Sequence, residues 1–245
     1  MKNIKMHLQF DGSRYSGWQR LGDKDNTVQG KLEDLLKKMT AEEINVIGCS
    51  RTDKGVHAQG LVCNFFTNSN MTIEEIGKYI NRYLPDDIVV YNLSEENDRF
   101  HSRYNAKSKW YRYTIDNNKY QNVFSRKFTS HIPEKLNLIL MQEAATKLIG
   151  TFDFTAFTTM KSKKKSFVRT IMNINISKEN NYIYIDFEGD GFLHNMIRII
   201  TGTLIRVGKE EISPNDVQYI LENKNRSIAG PMIEAKGLCL MEVRY

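Results

Sequence analysis

Residues 61–93, LVCNFFTNSNMTIEEIGKYINRYLPDDIVVYNL, predict a strand, a helix and a second strand in succession. The first six residues are apolar except for Asn64 and include two phenylalanines, which favours a strand. Thr72 and Glu75 stand three positions apart before apolar residues at helical spacing, and this capping box predicts the start of a helix. Pro85 ends that helix because proline has no amide proton to donate, and residues 88–93 again predict a strand.

The residues before this stretch extend the same pattern towards the N-terminus. Residues 4–10 alternate apolar and polar side chains, as in a half-buried strand. From Asn26, apolar residues recur at helical spacing as far as Met39, and residues 44–49 form a further extended run. The predicted element order of this half is therefore β-α-β-β-α-β.

The second half repeats this rhythm less regularly. Its predicted elements are a strand at 110–115, a helix at 136–149, paired strands at 168–176 and 182–187, a long helix from about Phe192, a short helix that begins at Ser213 and Pro214, and a strand at 238–243. This order predicts an α+β fold of two ferredoxin-like (RRM-like) halves, residues 1–105 and 106–245. The residues themselves show no repeat, so the duplication rests on element order.

Composition limits the class of protein more than its function. The 245 residues are 40% hydrophobic and 26% charged, as in an ordinary globular chain, and the net charge of +6 with a pI near 9.0 suits a polyanionic partner. The three cysteines form no C-x-x-C pair, which argues against a disulfide framework or a zinc site and favours the reducing cytoplasm. No apolar stretch approaches the ~18 residues of a membrane span.

The segment most suggestive of chemistry is Gly48–Ala58, GCSRTDKGVHA, a polar loop between two predicted strands. Taken by itself, Asp53 followed by Lys54 and Gly55 favours a tight turn, because Asp hydrogen-bonds to its own backbone and Gly supplies a positive φ.

Residues 51–58, RTDKGVHA, resemble the R-T-D-x-G-V-H-A pattern of the TruA family of tRNA pseudouridine synthases. Five further segments match that family in order: Tyr15–Gln19, Thr27–Gly30, Phe100–Tyr113, Gly191–Arg198 and Gly237–Leu238. Ser50, Leu61 and Lys236 depart from the usual residues. None of these departures removes a reacting group, although they affect the expected fit of the substrate.

The resemblance implies that the sheets of the two halves join into one extended sheet, with helices on one side and an active-site cleft between the halves. It implies isomerisation of uridine to pseudouridine in the anticodon stem-loop of tRNA, at tRNA positions 38, 39 and 40. It further implies a homodimer, with one tRNA spanning both subunits, and no metal or small-molecule cofactor.

The resemblance also assigns roles to five residues. Asp53 is the nucleophile, and attack at C1′, attack at C6 and assistance to glycal formation all remain open. Arg198 is the basic partner of that carboxylate, and Tyr111 stacks on the flipped uracil and is the candidate for removing the C5 proton. Arg51 occupies the space that the flipped base leaves, and Leu238 packs beneath the ring. From the residues alone, Arg198 also suits a helix surface and Tyr111 a strand core.

Several basic residues are candidates for contacting RNA phosphates. The densest run comprises Lys161, Lys163, Lys164 and Lys165, which suits either a solvated loop or a phosphate-contacting one. Arg14 and Arg20 are further candidates for an RNA-facing surface.

Two other functions are compatible with parts of the sequence. Paired ferredoxin-like halves with a positive charge also describe a noncatalytic RNA-binding module, but the aromatic-rich motif of such domains is missing. A hydrolase could use Cys49 or Ser50 with His57 and Asp53, but the loop lacks the pattern of a nucleophile turn. We assign His57 a structural hydrogen-bonding role.

Overall fold

The computed structural model describes residues 1–22, 26–161 and 166–245. Over these residues the chain contains ten strands and five α-helices, which confirms the α+β part of the predicted fold class. The chain divides into two compact units. Unit 1 comprises Met1–Lys107 with Leu240–Tyr245, and unit 2 comprises Ser108–Cys239, so the division falls inside the last strand.

Unit 1 follows the predicted order of elements. They are β1 (Lys2–Phe10), α1 (Val28–Thr40), β2 (Ile47–Gly48), β3 (His57–Thr67), α2 (Ile73–Tyr83), β4 (Ile88–Glu96) and the end of β10 (Leu238–Arg244). Strand β1 pairs antiparallel with both β3 and β4, and the short β2 pairs with β3.

Local sequence explains where both helices of unit 1 begin. The Thr27 hydroxyl accepts a hydrogen bond from the Gly30 amide and caps α1. The predicted capping box of α2 is confirmed: the Thr72 side chain accepts from the Glu75 amide and the Glu75 carboxylate accepts from the Thr72 amide. Helix α2 then buries Ile76 completely. Full burial of such a side chain contributes about 1.5–3 kcal/mol.

Unit 2 contains the remaining elements. They are β5 (Ser108–Asp116), β6 (Ser130–His131), α3 (Leu138–Thr146), β7 (Gly150–Asp153), β8 (Val168–Glu179), β9 (Tyr182–Gly189), α4 (Met196–Gly208), α5 (Pro214–Asn223) and the start of β10. The strands lie in the order β5-β9-β8-β7, and β6 pairs parallel with β5. Helix α4 forms the core of this unit, since nearly all of its residues are buried.

Several element boundaries differ from the sequence prediction; helix α3, for example, is Leu138–Thr146 rather than 136–149. Helix α4 begins at Met196 rather than near Phe192, because Asn195 adopts a left-handed conformation with φ 61° in a turn that the Met196 amide closes by donating to the Leu193 carbonyl at 3.0 Å. Strand β2 spans two residues instead of the predicted extended run at 44–49. The two-residue strand β6 and the four-residue strand β7 were not predicted.

Candidate active site

Asp53 lies in a tight turn of unit 1 between β2 and β3. The Val56 amide donates to the Asp53 carbonyl at 3.1 Å, and Gly55 has φ +79°. The turn predicted from the bare residues is therefore present. It fixes the backbone of Asp53 while the residue itself stays partly exposed.

A second segment of unit 1 holds this turn in place. The Trp18 amide donates to the Thr52 carbonyl at 3.0 Å, and a Cβ on Gly17 would lie only 2.6 Å from that same oxygen. Gly17 also has φ +111°, which favours glycine, and a Cβ on Gly12 would overlap the Val56 carbonyl. Residues 12–18 thus fit the Asp53 turn closely. The sequence predicted 15–19 only as a segment shared with the family. Gly12 and Gly17 are the residues in the sequence that could have indicated this close packing.

His57 has a structural place beside this turn, as expected. It is only 3% exposed, and the Gly12 amide donates to its Nδ1 at 3.0 Å. Cys49 is completely buried, and the Val62 amide donates to its Sγ at 3.4 Å. A buried thiol and an imidazole whose Nδ1 accepts from the backbone do not support the hydrolase alternative.

Thr52, directly before Asp53, has an unusual side chain. It is 6% exposed, and across residues 1–22, 26–161 and 166–245 its Oγ1 is the one buried side-chain polar atom without a hydrogen-bond partner. An unsatisfied buried hydroxyl costs about 1–3 kcal/mol, so this position is not optimised for stability.

Tyr111 and Tyr113 occupy the same face of β5 in unit 2. Tyr111 is 5% exposed, and its ring meets Phe192 edge-on with 5.4 Å between centroids. Tyr113 is fully buried and donates its hydroxyl to the Glu234 carbonyl at 2.8 Å, while burial raises its pKa above the usual value for tyrosine. The prediction that Tyr113 belongs to the core is confirmed.

Arg198 is anchored at the start of α4. Its Nε donates to the Ile233 carbonyl at 2.7 Å and its Nη1 donates to Asn195 Oδ1 at 2.8 Å. A cation in the first helical turn opposes the helix dipole, so helix stability does not account for this position. The two hydrogen bonds also distinguish Arg198 from a solvated surface arginine.

Leu238 begins β10 and is 6% exposed. The preceding Gly237 packs against the Tyr113 ring, because a Cβ there would lie 2.6 Å from the ring carbon Cζ. Gly237 therefore allows the backbone just before β10 to approach β5 closely.

The arginines proposed to face RNA have different surroundings. Arg51 is exposed. The Arg14 side chain is 79% exposed, with Nη1 3.7 Å from Asp87 Oδ2. Arg20 forms a 2.7 Å ion pair with Asp34 on α1, so an RNA phosphate would compete with a carboxylate for it.

The lysine run is only partly visible. Lys161 is exposed, whereas Lys163, Lys164 and Lys165 lie outside the described residues. Within the described ranges, no three His, Cys, Asp or Glu residues cluster as metal ligands would, and none of the helices there has the length and apolar character needed to cross a membrane.

Comparison with known proteins identifies the class to which this fold and site belong. The tRNA pseudouridine synthase family profile matches residues 6–105 and 144–245. Over the full length of both chains, the protein is 46% identical to tRNA pseudouridine synthase A 2 of Bacillus cereus (strain ZK / E33L). It is 49% identical to tRNA pseudouridine synthase A 1 of Clostridium tetani (strain Massachusetts / E88) and to tRNA pseudouridine synthase A of Bacillus sp. (strain KSM-64), again over both full lengths.

The chain belongs to the TruA family of tRNA pseudouridine synthases, isomerases that convert uridine in tRNA to pseudouridine. The family predicted from residues 51–58 is confirmed.

Proposed function

We propose that this protein isomerises uridine in tRNA with Asp53 as the nucleophile. In this reaction the C1′–N1 bond breaks, a C1′–C5 bond forms, C5 loses its proton and N1 gains one. The main structural support is the fixed backbone of Asp53: its own carbonyl accepts from Val56, and the preceding carbonyl accepts from Trp18. A nucleophile held in this way loses little freedom when the substrate binds.

Tyr111 and Arg198 are proposed to act in the same reaction. The target base must leave the RNA stack and rest against an apolar or aromatic face, which the Tyr111 ring and Leu238 would supply. The Arg198 guanidinium, oriented by Ile233 and Asn195, is proposed from the family resemblance as the basic partner of the Asp53 carboxylate. Arg51 is proposed to fill the space that the base vacates.

The proposed role of Asp53 is tested by Asp53→Asn, with Asp98→Asn as the matched control because Asp98 is exposed and lies in the same unit. Each protein is incubated with unmodified tRNA, the tRNA is digested to nucleosides, and pseudouridine is separated from uridine by chromatography. We expect no pseudouridine with Asp53→Asn, full conversion with Asp98→Asn, and wild-type tRNA affinity for both. Turnover by Asp53→Asn would refute the role.

The same assay addresses Arg198. Arg198→Gln removes the cation, and Arg206→Gln is the control on the same helix, where Arg206 pairs with Glu211 at 3.3 Å. We expect conversion to fall only in the Arg198 variant. An equal effect of both changes would mean that the loss arises from helix α4 as a whole.

Further features are proposed from the family. We infer that uridines of the anticodon stem-loop are the targets and that each unit corresponds to one ferredoxin-like half, which the β-α-β-β-α-β order of unit 1 supports. We also infer a homodimer and phosphate contacts from Arg14, Arg20 and the lysine run at 161–165. A cytoplasmic location is proposed from the sequence, whose three cysteines form no C-x-x-C pair.

A further inference from the structure

Residues 117–128 of unit 2, NNKYQNVFSRKF, expose several apolar side chains. Phe124 is 93% exposed, Tyr120 77% and Val123 58%. Large apolar side chains grouped in one exposed segment usually mark an interaction surface. This segment, the 117–128 loop, has no part in the chemistry proposed above.

The loop has a defined shape before any partner binds. Asp116, fully buried at the end of β5, accepts from the Asn118 amide at 3.1 Å, the Asn118 side chain at 2.6 Å and the Asn122 amide at 2.8 Å. Burial raises the pKa of Asp116, but these hydrogen bonds outweigh it and the net pKa is lowered. Asn122 also donates to the Tyr182 hydroxyl at 2.9 Å. Binding to a surface fixed in this way costs little ordering entropy.

The charges of the loop are all of one sign. It contains Lys119, Arg126 and Lys127 and no Asp or Glu. Lys119 Nζ lies 5.3 Å from the centre of the Tyr120 ring. The adjacent strand β8 adds Lys178, whose Nζ lies 3.3 Å from Asn117 Oδ1. Cations and exposed rings are therefore mixed within one short segment.

We propose that the 117–128 loop binds RNA, with bases stacking on Tyr120 and Phe124 and phosphates contacting Lys119 and Arg126. Aromatic rings interleaved with cations suit the two faces of a nucleic acid, its stacked bases and its charged backbone. A symmetric contact with a second copy of the chain would instead bring this patch against itself, cation against cation. The proposal rests on tRNA being the substrate.

The 117–128 loop lies at the opposite end of β5 from the part that carries Tyr111, the residue proposed to act in the chemical step. Asp116 is five residues beyond Tyr111 on β5, which corresponds to roughly 17 Å at the rise of an extended strand. At 3.4 Å per nucleotide along a stacked strand, that distance is about five nucleotides. The loop would therefore contact a part of the tRNA remote from the isomerised uridine, and it would contribute to affinity rather than to bond breaking.

The test compares two variants of the full-length protein with matched controls. Phe124→Ser removes the most exposed ring, and the double variant Lys119→Gln/Arg126→Gln removes two cations. Ile139→Ser and Lys135→Gln are the controls, since both residues are exposed elsewhere in unit 2. The dissociation constant for unmodified tRNA is measured by fluorescence anisotropy at several salt concentrations, and the mass of each protein is measured by sedimentation.

We expect Phe124→Ser to weaken tRNA binding by roughly 5- to 150-fold, the range for loss of one stacked base. The double Gln variant should lower the magnitude of the log K against log salt slope by about 0.7 for each lost phosphate contact. Saturating tRNA should restore the conversion rate of both variants, and the masses should equal that of the wild type.

Two outcomes would overturn the proposal. Unchanged affinity and slope in both variants would remove the loop from the RNA surface, and a fall in mass would assign it to contact with a second copy. Failure of the proposed function is distinguishable, because the wild type would then bind tRNA through the loop without forming pseudouridine.

Discussion

Gly17→Ala tests whether residues 12–18 position Asp53. The new Cβ would lie 2.6 Å from the Thr52 carbonyl oxygen, and that carbonyl must withdraw to the 3.4 Å of an ordinary contact. Alanine at φ +111° is also strained, at a cost of about 1–3 kcal/mol. The displaced carbonyl directly precedes Asp53, and a misplacement on the order of 1 Å can reduce the rate about 100-fold.

The matched control is Gly77→Ala on α2. A Cβ there would meet only the Leu93 methyl groups, the nearer at 3.5 Å, so the helix should gain about 0.5–1 kcal/mol relative to glycine. Thermal unfolding reports the stability of both variants, with a shift of about 2–4 °C for each kcal/mol in a chain of this size. Conversion of tRNA uridine reports activity.

We expect Gly17→Ala to lose both stability and kcat while it keeps its affinity for tRNA, and Gly77→Ala to keep full activity. If Gly17→Ala were destabilised but converted tRNA at the wild-type rate, the contact between Gly17 and Thr52 would serve folding alone. It would then not position Asp53 for catalysis.

Four further changes test other parts of the account. Tyr111→Phe should reduce conversion by about 100-fold or more if the hydroxyl removes the C5 proton, and Tyr111→Ala should also weaken tRNA binding. A near-normal rate in the Phe variant would mean that only the ring of Tyr111 contributes. Thr52→Val removes the unpartnered buried hydroxyl at nearly constant shape, so the free energy of unfolding should stay constant or rise by about 1 kcal/mol. A clear loss of stability would show that the hydroxyl forms a hydrogen bond. Exhaustive EDTA treatment should leave the rate unchanged when monovalent salt keeps the tRNA folded, and a rate restored only by added metal would contradict metal-independent chemistry. Replacing the lysine run with serine should lower the magnitude of the slope of log K for tRNA binding against log salt by about one to three units. An unchanged slope would indicate a solvated loop. The residues replaced are Lys161, Lys163, Lys164 and Lys165.

Local signals in the sequence predicted most elements of the fold. The capping box at Thr72 and the Ser213-Pro214 pair act within one helical turn, and both helices begin where these residues predict. The predicted start of α4 was wrong, because apolar periodicity does not indicate that Asn195 adopts a left-handed conformation. Strand β6 depends on pairing with β5 across a loop, which no short pattern encodes.

The same difference between local signals and long-range contacts applies to the candidate site. Resemblance could select Asp53, because the family pattern is continuous in sequence. The contacts that hold the Asp53 turn join residues far apart in the chain, such as Trp18 and Thr52, so no local pattern in the sequence predicts them. The exposure of Phe124 was also hidden, since an apolar residue in a sequence predicts burial more often than contact with a partner.

The most direct test of the central claim is tritium release from tRNA that carries tritium at C5 of uridine. The C5 hydrogen is lost only when C5 becomes bonded to the sugar, so release reports the isomerisation itself. We predict that the wild-type protein releases tritium in step with pseudouridine formation and that Asp53→Asn binds the same tRNA but releases none. Release by Asp53→Asn at the wild-type rate would contradict the assignment of Asp53 as the nucleophile.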